Sequence, residues 1–191
     1  MRLFVALEIP AAVRDNLAAL IKDLRGVAEQ ARDRRPRWVR PENLHVTLKF
    51  IGEAPPAKLE AICSALAAVR SALPVESQFR GLGFFPNEKQ ARVFWAGIEA
   101  SPNLAALAAN IHGVFETLGM ARERRPFAPH LTLARFEPPG LHEKLRTDMQ
   151  VNLAREFGSF RANQFHLIES KTKPSGAEYT RLQSFPFVAE A

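Results

Sequence analysis

A His-x-Thr-Leu segment occurs twice in the chain, at residues 45–48 and again at residues 130–133. Each copy follows an Arg-Pro pair at the same distance, so Arg, Pro, His, Thr and Leu all match without a gap at a constant offset of 85 positions. One copy of so short a motif carries little information. Two copies in matching context favour a duplicated functional element over the ordinary alternative, which is two unrelated histidines on solvated strands.

The spacing within each copy places its two polar residues on one face of a strand. Residues i and i+2 of a β-strand point to the same side, about 6–7 Å apart. His45 therefore shares a face with Thr47, and His130 shares a face with Thr132. The aliphatic residues between them point the other way, toward a core. Each copy thus presents an imidazole and a hydroxyl to one surface.

Two such faces that meet across a cleft suit the hydrolysis of a phosphodiester. One neutral imidazole takes a proton from the attacking water, and the other, protonated, gives a proton to the departing sugar oxygen. The unperturbed pKa of histidine, about 6.5, allows both forms near neutral pH. The hydroxyls of Thr47 and Thr132 are predicted to hydrogen-bond the non-bridging phosphate oxygens. The near-symmetry of the repeat leaves open which histidine is the acid and which is the base.

A metal site is the main chemical alternative for paired histidines. Glu42 and Glu53 flank the first copy, whereas the second has Glu137 alone. The single cysteine, Cys63, lies on the apolar stripe of a predicted helix and is expected to be a buried core residue. One cysteine provides neither an intramolecular disulfide nor a cysteine zinc cage. We therefore predict catalysis without a metal or any other cofactor.

The charge distribution favours a polyanionic partner. Lysine and arginine total 26 against 20 acidic residues, for a formal net charge of +6. The arginines cluster in two stretches, each just upstream of one histidine segment, and the alternative is two solvated loops. The first cluster contains Arg32, Arg34, Arg35, Arg37 and Arg40, and the second contains Arg122, Arg124 and Arg125.

Hydrophobic periodicity and turn residues predict alternating strands and helices, with an order in the second half that repeats the first. Ser101 is the predicted N-cap of a helix that has Pro102 at its first position and Gly119 as its stop. The pattern predicts an α+β protein whose halves pack as one domain over residues 1–191. The predicted strands are 3–9, 43–51, 78–85, 92–99, 130–136, 159–171 and 178–185, and the predicted helices are 11–31, 57–73, 102–118 and 141–156.

The ends and the apolar runs of the chain bear on its location. Residues 1–10 have a strand pattern rather than that of a signal peptide, and no uninterrupted apolar run reaches membrane-spanning length. The composition, with 47% hydrophobic and 24% charged residues, is that of a globular protein. We expect a cytoplasmic monomer that does not contact a membrane.

The paired segments resemble the two-histidine (2H) phosphoesterase superfamily, and within it the RNA 2′,3′-cyclic phosphodiesterases, also called 2′-5′ RNA ligases. The similarity runs through nearly the whole chain. The segments that carry it are Arg-Leu-Phe-Val-Ala-Leu at residues 2–7, Phe-Pro at 85–86 followed by Arg-Val-Phe-Trp at 92–95, Pro-His-Leu-Thr-Leu-Ala-Arg at 129–135, and Glu-Ser at 169–170 with Gly-Ala-x-Tyr at 176–179.

This resemblance implies a bilobal α+β fold in which two antiparallel sheets, related by a pseudo-two-fold axis and each backed by helices, enclose the active-site cleft. It implies hydrolysis of a terminal RNA 2′,3′-cyclic phosphate to a 2′-phosphomonoester without metal or ATP, with His45 as proton donor and His130 as proton acceptor. The substrates would be RNA ends, possible tRNA fragments among them, or small cyclic nucleotides.

Three other functions stay open at this point. The family's ligase activity, which joins RNA ends through a 2′-5′ bond, would be the reverse use of the same site. The enzyme would otherwise act on another cyclic or 2′-5′-linked nucleotide. In a different class, the chain would be an RNA-end binding module in which turnover is incidental.

Four further residues are considered for substrate contacts. Arg135 lies five residues past His130, so strict alternation places it on the opposite face, and it reaches a phosphate only if the strand twists or bulges. Its alternative is a surface ion pair. Phe85 and Phe127 border predicted turns and are candidates for stacking on the terminal base, although most aromatic residues of such a chain lie in the core. Tyr179, the single tyrosine, carries a weak signal for ligand binding. The remaining histidines are predicted to be structural: His112, His142 and His166.

Overall fold

The computed structural model describes residues 1–71, 74–120, 126–174 and 176–187. The strands in these parts are β1 (Arg2–Glu8), β2 (Pro36–Trp38), β3 (His45–Glu53), β4 (Val75–Phe85), β5 (Val93–Ala100), β6 (His130–Phe136), β7 (Glu156–Ala162), β8 (Gln164–Lys173) and β9 (Gly176–Pro186). The helices are α1 (Ala11–Gln30), α2 (Leu59–Ala67), α3 (Pro102–Thr117) and α4 (Glu143–Val151), with short 3₁₀ turns at Pro41–Asn43 and Pro56–Lys58.

The strands form two antiparallel sheets, which confirms the predicted α+β class. The first sheet has the order β3-β1-β8-β9, and the second has the order β2-β6-β5-β4-β7. His45 is the first residue of β3 in the first sheet, and His130 is the first residue of β6 in the second. The two histidine segments therefore start one strand in each sheet.

The two sheets do not correspond simply to the two halves of the chain. The N-terminal strand β1 lies between β3 and the C-terminal strand β8 in the first sheet. The short strand β2 precedes the first histidine segment but pairs with β6 of the second sheet. This pairing places Arg37 of the first arginine cluster beside the second histidine strand.

One buried hydrophobic cluster draws side chains from both sheets and from all four helices. Helix α1 packs along α4 and β7, whereas α3 packs against β3 of the first sheet. The apolar residues that recur at helical spacing along α1 are buried in this cluster: Val13, Leu17, Leu20, Ile21 and Leu24. Each sheet is thus covered on one side by helices that share a continuous core.

The other face of the first sheet is also apolar near its centre. Phe4, Ala6 and Ile168 form a small separate cluster, against which Tyr179 packs. Residues 3–7 of β1 are consequently all buried, as expected for a strand that is covered on both faces. This second apolar face supports the side of the sheet on which His45 and Thr47 lie.

Several predicted boundaries were wrong. The predicted strand 159–171 is two strands, β7 and β8, which belong to different sheets. Residues 36–38, which lie outside all the predicted strands, pair with β6 as β2. The predicted helix 141–156 is confined to Glu143–Val151. The two strand errors have the same cause, because strand pairing is a contact between distant segments that local periodicity does not report.

The predicted helix ends fared differently. Gly119 follows the end of α3 with a φ of +75°, the left-handed conformation expected of a glycine stop. Ser101 occupies the N-cap position of α3, but its hydroxyl hydrogen-bonds the backbone of Glu76 instead of the helix. The predicted helix 57–73 was too long, since α2 is confined to Leu59–Ala67. Residues 72 and 73 and the arginines of the second cluster lie outside the described residues.

Two other predictions concern burial and the membrane. Cys63 packs against the main core but is only partly buried, and this burial raises the pKa of its thiol. In the described ranges, no helix combines the length and the apolar character that crossing a bilayer requires.

Candidate active site

A β-bulge interrupts each histidine strand at the same point of the repeat. The residues on either side of Leu48 pair with adjacent residues of β1, so Leu48 is an extra residue in β3. The residues on either side of Leu133 pair with adjacent residues of β5, so Leu133 is an extra residue in β6. A bulge of this kind shifts the alternation of the following side chains by one position. The repeat therefore extends beyond its matching letters to a shared backbone irregularity.

The bulge at Leu133 decides where Arg135 points. Leu133 and Ala134 are both buried, and Arg135 is exposed on the face that carries Thr132. Thr132 and Arg135 line the same cavity. The structure thus supplies the strand bulge that a phosphate contact by Arg135 requires.

A cavity of about 620 Å³ lies between the two sheets. The first sheet contributes His45, Thr47 and Tyr179 to its lining, and the second contributes Thr132 and Arg135. Cavities of this size are typical of sites for small molecules. The cavity is also lined by Arg2, Phe4, Phe50, Gly52, Ser170 and Thr172.

The two histidines make the same hydrogen bond. Nδ1 of His45 lies 2.7 Å from the carbonyl oxygen of Asn43, and Nδ1 of His130 lies 2.7 Å from the carbonyl oxygen of Ala128. Because a carbonyl oxygen only accepts hydrogen bonds, each Nδ1 carries a proton and acts as the donor. This bond fixes the tautomer of the neutral ring and leaves Nε2 of each histidine for proton transfer.

Aromatic side chains hold both imidazoles in place. The ring of His45 lies 4.7 Å from that of Phe4 and 5.4 Å from that of Tyr179, between centroids. The ring of His130 meets Phe85 in a near-perpendicular contact at 5.0 Å. These contacts, together with the Nδ1 bonds, restrict the orientation of each ring before any substrate binds.

The electrostatic environment of His45 favours its neutral form. Burial lowers the pKa of His45, the carbonyl of Asn43 opposes this shift, and the charge of His130 lowers the pKa further. The last contribution means that the two rings are near enough for a proton on one to disfavour a proton on the other. A proton on both rings at once is therefore disfavoured, which suits a pair in which one ring gives a proton and the other accepts one.

Two guanidinium groups, one from each sheet, make the cavity electropositive. Burial raises the pKa of the Tyr179 phenol, and the nearby positive charges of Arg135 and Arg2 oppose this shift. Arg135 thus reaches the vicinity of Tyr179 on the opposite sheet. The arrangement suits an anion, with positive charge and hydroxyl donors on both sides.

The other sequence-predicted contact residues lie farther from the cavity. Phe85 supports His130 and also packs against Trp95, at 5.2 Å between ring centroids. Phe127 packs against the main core, and the residues that line the cavity do not include it. Their roles in base stacking stay predictions without support from these positions.

Two members of the first arginine cluster lie beside the site: Arg40 lines a second cavity together with His45, and Arg37 lies on β2. Arg37 is the cross-strand partner of Arg135 and also lies 3.1 Å from a carboxylate oxygen of Glu137. Arg35 is paired with Asp33 at 2.8 Å, and these two residues are adjacent to the end of α1. The cluster therefore extends the positive charge of the cavity along β2 only in part.

Several residues near the site carried little sequence signal. Asn43 donates from Nδ2 to the carbonyl oxygen of Ala177 at 2.8 Å, which ties the turn before His45 to β9. Phe4 gave one indirect signal, the unbroken apolar run of residues 3–7. Phe50, which is exposed, is marked in the sequence only as the position of the first copy that matches Arg135 in the second. A search of the described residues finds no group of three or more His, Cys, Asp or Glu arranged to hold a metal ion.

The three histidines predicted to be structural make contacts of that kind. Nε2 of His112 lies 3.3 Å from the carbonyl oxygen of Leu48. The side chain of His142 accepts a hydrogen bond from the backbone of Lys144 as the N-cap of α4. His166 is buried, with Nδ1 2.9 Å from Oγ of Ser184.

Two antiparallel sheets, each with a strand that begins at a His-x-Thr segment and faces a shared cavity, have the architecture of two-histidine phosphoesterases. A family model described as the 2′-5′ RNA ligase superfamily matches residues 13–174. The chain belongs to this superfamily, which confirms the resemblance drawn from its sequence.

Individual relatives match over nearly their whole length. The RNA 2′,3′-cyclic phosphodiesterase of Methanothermobacter thermautotrophicus is 32% identical over 186 residues, which cover 97% of this chain and 98% of the relative. A solved Thermus thermophilus structure has a TM-score of 0.81 at 32% identity and covers all of both chains. The structure of E. coli LigT complexed with 3′-AMP has a TM-score of 0.72 at 25% identity and covers 97% of each chain.

Proposed function

We propose that this chain hydrolyses the terminal 2′,3′-cyclic phosphate of RNA to a 2′-phosphomonoester by general acid–base catalysis with two histidines and no metal. The observation that carries the proposal is the matched pair of imidazoles, one in each sheet, each with Nδ1 2.7 Å from a backbone carbonyl oxygen. Relatives of the same length are named RNA 2′,3′-cyclic phosphodiesterase, which supports this substrate class.

The proposed reaction is a displacement at phosphorus. A water oxygen forms a new P–O bond while the bond between phosphorus and the ribose 3′-oxygen breaks. Nε2 of His130 accepts the water proton, and Nε2 of His45 gives a proton to the departing 3′-oxygen. The product carries a 2′-phosphate and a free 3′-hydroxyl. Proton exchange with solvent then returns both imidazoles to their starting protonation states. The assignment of donor and acceptor follows the family resemblance.

The proton of His45 in this scheme depends on the substrate. In the free enzyme, burial and His130 lower the pKa of His45, so its neutral form dominates at neutral pH. A bound phosphodiester anion lies against the ring and opposes both effects, because a nearby negative charge favours the protonated imidazole. We therefore expect His45 to take up its proton when the substrate binds.

Three side chains are proposed to hold the phosphoryl group. The hydroxyls of Thr47 and Thr132 donate to the non-bridging oxygens from opposite sheets. The guanidinium of Arg135 lies on the face of Thr132 and stabilises the negative charge that develops in the transition state. All three line one cavity with His45.

The direct test uses an RNA oligonucleotide that ends in a 2′,3′-cyclic phosphate, incubated in excess EDTA. We expect full activity in the chelator, a 2′-phosphate in the product, and at least a 10²-fold loss of kcat in either His45→Ala or His130→Ala. His142→Asn is the matched control, because asparagine is also a good N-cap for α4 and His142 is outside the cavity. Loss of activity in EDTA, or unchanged activity in both alanine variants, contradicts the proposal.

The same variants separate the enzyme from an RNA-end binding module. An enzyme stops cleaving when either histidine is removed but still binds the RNA end. A binding module binds tightly without either histidine, depends on the arginines and shows a steep salt dependence, with no cleavage by the wild type. A substrate panel of cyclic and 2′-5′-linked nucleotides then determines which phosphodiester is preferred. Incubation of RNA ends that carry a 2′,3′-cyclic phosphate with RNA 5′-hydroxyl ends tests for the reverse, ligase reaction.

A further inference from the structure

A second cavity, of about 410 Å³, begins where the inter-sheet cavity ends, and His45 lines both. On β3 the second cavity takes residues up to His45, whereas the inter-sheet cavity takes His45 and residues beyond it, such as Thr47. On β1 the inter-sheet cavity takes Arg2 and Phe4 from the start of the strand, and the second cavity takes Glu8 from its end. The two cavities therefore lie in line along the strands of the first sheet, with His45 at their junction.

The second cavity is lined by many charged side chains. In the described part of the chain they are three arginines and three glutamates: Arg14, Arg40, Arg181, Glu8, Glu42 and Glu178. Nε of Arg181 donates to Oε1 of Glu8 at 3.0 Å, and Glu178 is paired with Lys173. Two arginines and one glutamate make up the rest, so positive charge predominates among them. Carboxylates among guanidinium groups suit a nucleotide better than a bare anion, because ribose hydroxyls donate hydrogen bonds and phosphate oxygens only accept them.

Arg40 is positioned by the turn that leads into His45. Its guanidinium lies over the backbone of Gly176 at the start of β9, where a Cβ would be 3.7–3.8 Å from its Nε, Cζ and Nη2. The hydrogen bond from Asn43 to the carbonyl of Ala177 holds the same turn against β9. The wall that carries this arginine is therefore attached at two points close to the proposed proton donor.

Arg14 reaches the cavity from helix α1. It is the fourth residue of that helix and is half-buried. No described residue forms an ion pair or a side-chain hydrogen bond with its guanidinium. A guanidinium has five N–H donors in a planar arrangement that matches phosphate oxygens. Arg14 therefore brings to this cavity donors that are available for a ligand.

The chemistry of the proposed substrate places the rest of the RNA on the same side as His45. The ring of His45 gives its proton to the departing 3′-oxygen, which is bonded to C3′ of the ribose. C3′ is bonded to C4′, and C4′ carries the 5′-carbon through which the terminal nucleotide joins the rest of the RNA. The 3′-oxygen is therefore closer along the ribose to the linking phosphodiester than the 2′-oxygen is. A chain that leaves the ribose past His45 enters the second cavity.

We propose that the second cavity binds the phosphodiester that joins the terminal nucleotide to the rest of the RNA, with Arg14 and Arg40 as the donors to its oxygens. The proposal rests on the proposed function, since the ligand is the next phosphate of that substrate. It gives the nearly symmetric site a direction: the terminal phosphate lies in the inter-sheet cavity, and the chain continues past His45. An RNA end is then a better substrate than a cyclic mononucleotide, because only the RNA fills both cavities.

The experiment is a calorimetric titration that needs no turnover, with two probes at one ionic strength. The probes are adenosine 2′-monophosphate and adenosine 2′,5′-bisphosphate, which differ only in the 5′-phosphate that stands in for the phosphodiester. We expect the wild type to bind the bisphosphate about tenfold more tightly than the monophosphate. Arg14→Ala and Arg40→Ala are each expected to lower this ratio of affinities, and the double variant is expected to bring it close to one.

Arg25→Ala is the matched control, because it removes an exposed arginine of the same helix that pairs with Glu29 and does not line the cavity. Equal affinities for the two probes in the wild type overturn the proposal, as does a preference that survives in the double variant. A loss of affinity for both probes by the same factor also overturns it, because the two arginines would then act at the terminal phosphate.

The hydrolysis of RNA that ends in a cyclic phosphate separates this proposal from the proposed function. A wild type that prefers the bisphosphate through Arg14 and Arg40 but hydrolyses no cyclic phosphate refutes the proposed function and supports the second subsite. A wild type that hydrolyses the RNA end but binds the two probes equally refutes the subsite alone.

Discussion

Nε2 of His112 lies 3.3 Å from the carbonyl oxygen of Leu48, the extra residue of the bulge in β3. The extra residue of a bulge is not paired in the strand ladder, so its backbone groups need other partners. Helix α3, which begins just after β5 of the second sheet, supplies one such partner to a strand of the first. This contact fixes the irregularity that places Thr47 and Phe50 on a common face.

Replacement of His112 tests whether this contact supports the site. We expect His112→Leu to lower the free energy of unfolding by about 1–3 kcal/mol, because a buried carbonyl loses its donor. We also expect a drop in kcat/KM, with partial recovery in His112→Gln, which keeps a donor. Urea unfolding and steady-state kinetics measure the two effects. Asn110→Ala is the control on the same helix, because its side chain bonds the backbone of Arg70 away from β3. Wild-type kinetics in His112→Leu contradict a positioning role.

Replacement of Arg135 tests the charge that the second bulge brings to the cavity. We expect Arg135→Ala to lower kcat/KM by about 10²-fold, because a donor aimed at developing phosphoryl charge is removed. Arg135→Lys keeps the charge but loses the planar guanidinium with its paired donors, so its kcat/KM is expected to lie between those of the wild type and Arg135→Ala. The readout is kcat and KM on the cyclic-phosphate RNA. Arg161→Ala on β7, an exposed arginine near Glu76, is expected to behave as the wild type. Equal losses of kcat/KM in Arg135→Ala and Arg161→Ala point to a general charge effect.

The pKa of His45 is measurable by proton NMR titration of its ring. We expect it below 6.5, because burial and the charge of His130 both disfavour the imidazolium. In His130→Gln the second contribution disappears, so the pKa of His45 is expected to rise. Addition of inorganic phosphate is also expected to raise it. A His45 pKa that does not respond to His130→Gln contradicts the electrostatic coupling between the two histidines.

The stability of the protein is expected to fall below about pH 6.5 in part because of His166. Burial lowers the pKa of this imidazole, Glu8 opposes the shift, and Arg181 adds to it. The unfolded state, with an ordinary pKa of about 6.5, then binds more protons than the folded state as the pH falls. The contribution of His166 to stability is fully present above that pH. It is lost progressively as the pH falls toward the pKa of His166 in the folded state.

Urea unfolding at pH 7.5 and pH 5.0 measures this dependence. We expect a smaller difference between the two pH values in His166→Gln than in the wild type, because the buried titrating group is gone. His142→Asn is the control, because it replaces a histidine that is only half-buried and keeps a capable N-cap for α4, and we expect it to show the wild-type difference between the two pH values. An unchanged difference in His166→Gln shows that other groups account for the acid sensitivity.

The two histidine segments were identifiable from sequence because their chemistry is local. The alternation of His45, Val46 and Thr47 specifies which side chains share a face, provided that the segment is a strand. The apolar stripe of α1 was predictable for the same reason, since 3.6-residue periodicity is a property of a continuous segment. The duplication of the His-x-Thr-Leu segment then indicated the family and its substrate class.

The face on which Arg135 lies could not be predicted from its own segment. Simple alternation from His130 placed it on the wrong face, and a single extra residue at Leu133 reverses the result. A bulge arises from the register between two strands that are far apart in sequence, here β5 and β6. The amino acids around Leu133 do not encode that register by themselves.

What the sequence determined, then, is the set of reactive groups, the strand face on which each His and Thr lies, the main helix stripe and the family. The tertiary structure decided the assignment of strands to sheets, the two bulges, and through them the opposition of Phe50 and Arg135 across one cavity. It also decided the lowered pKa of His45, since burial by Phe4 and Tyr179 and the approach of His130 come from distant segments. Local periodicity reports the direction of neighbouring side chains, whereas register, burial and electric field depend on which distant segments meet.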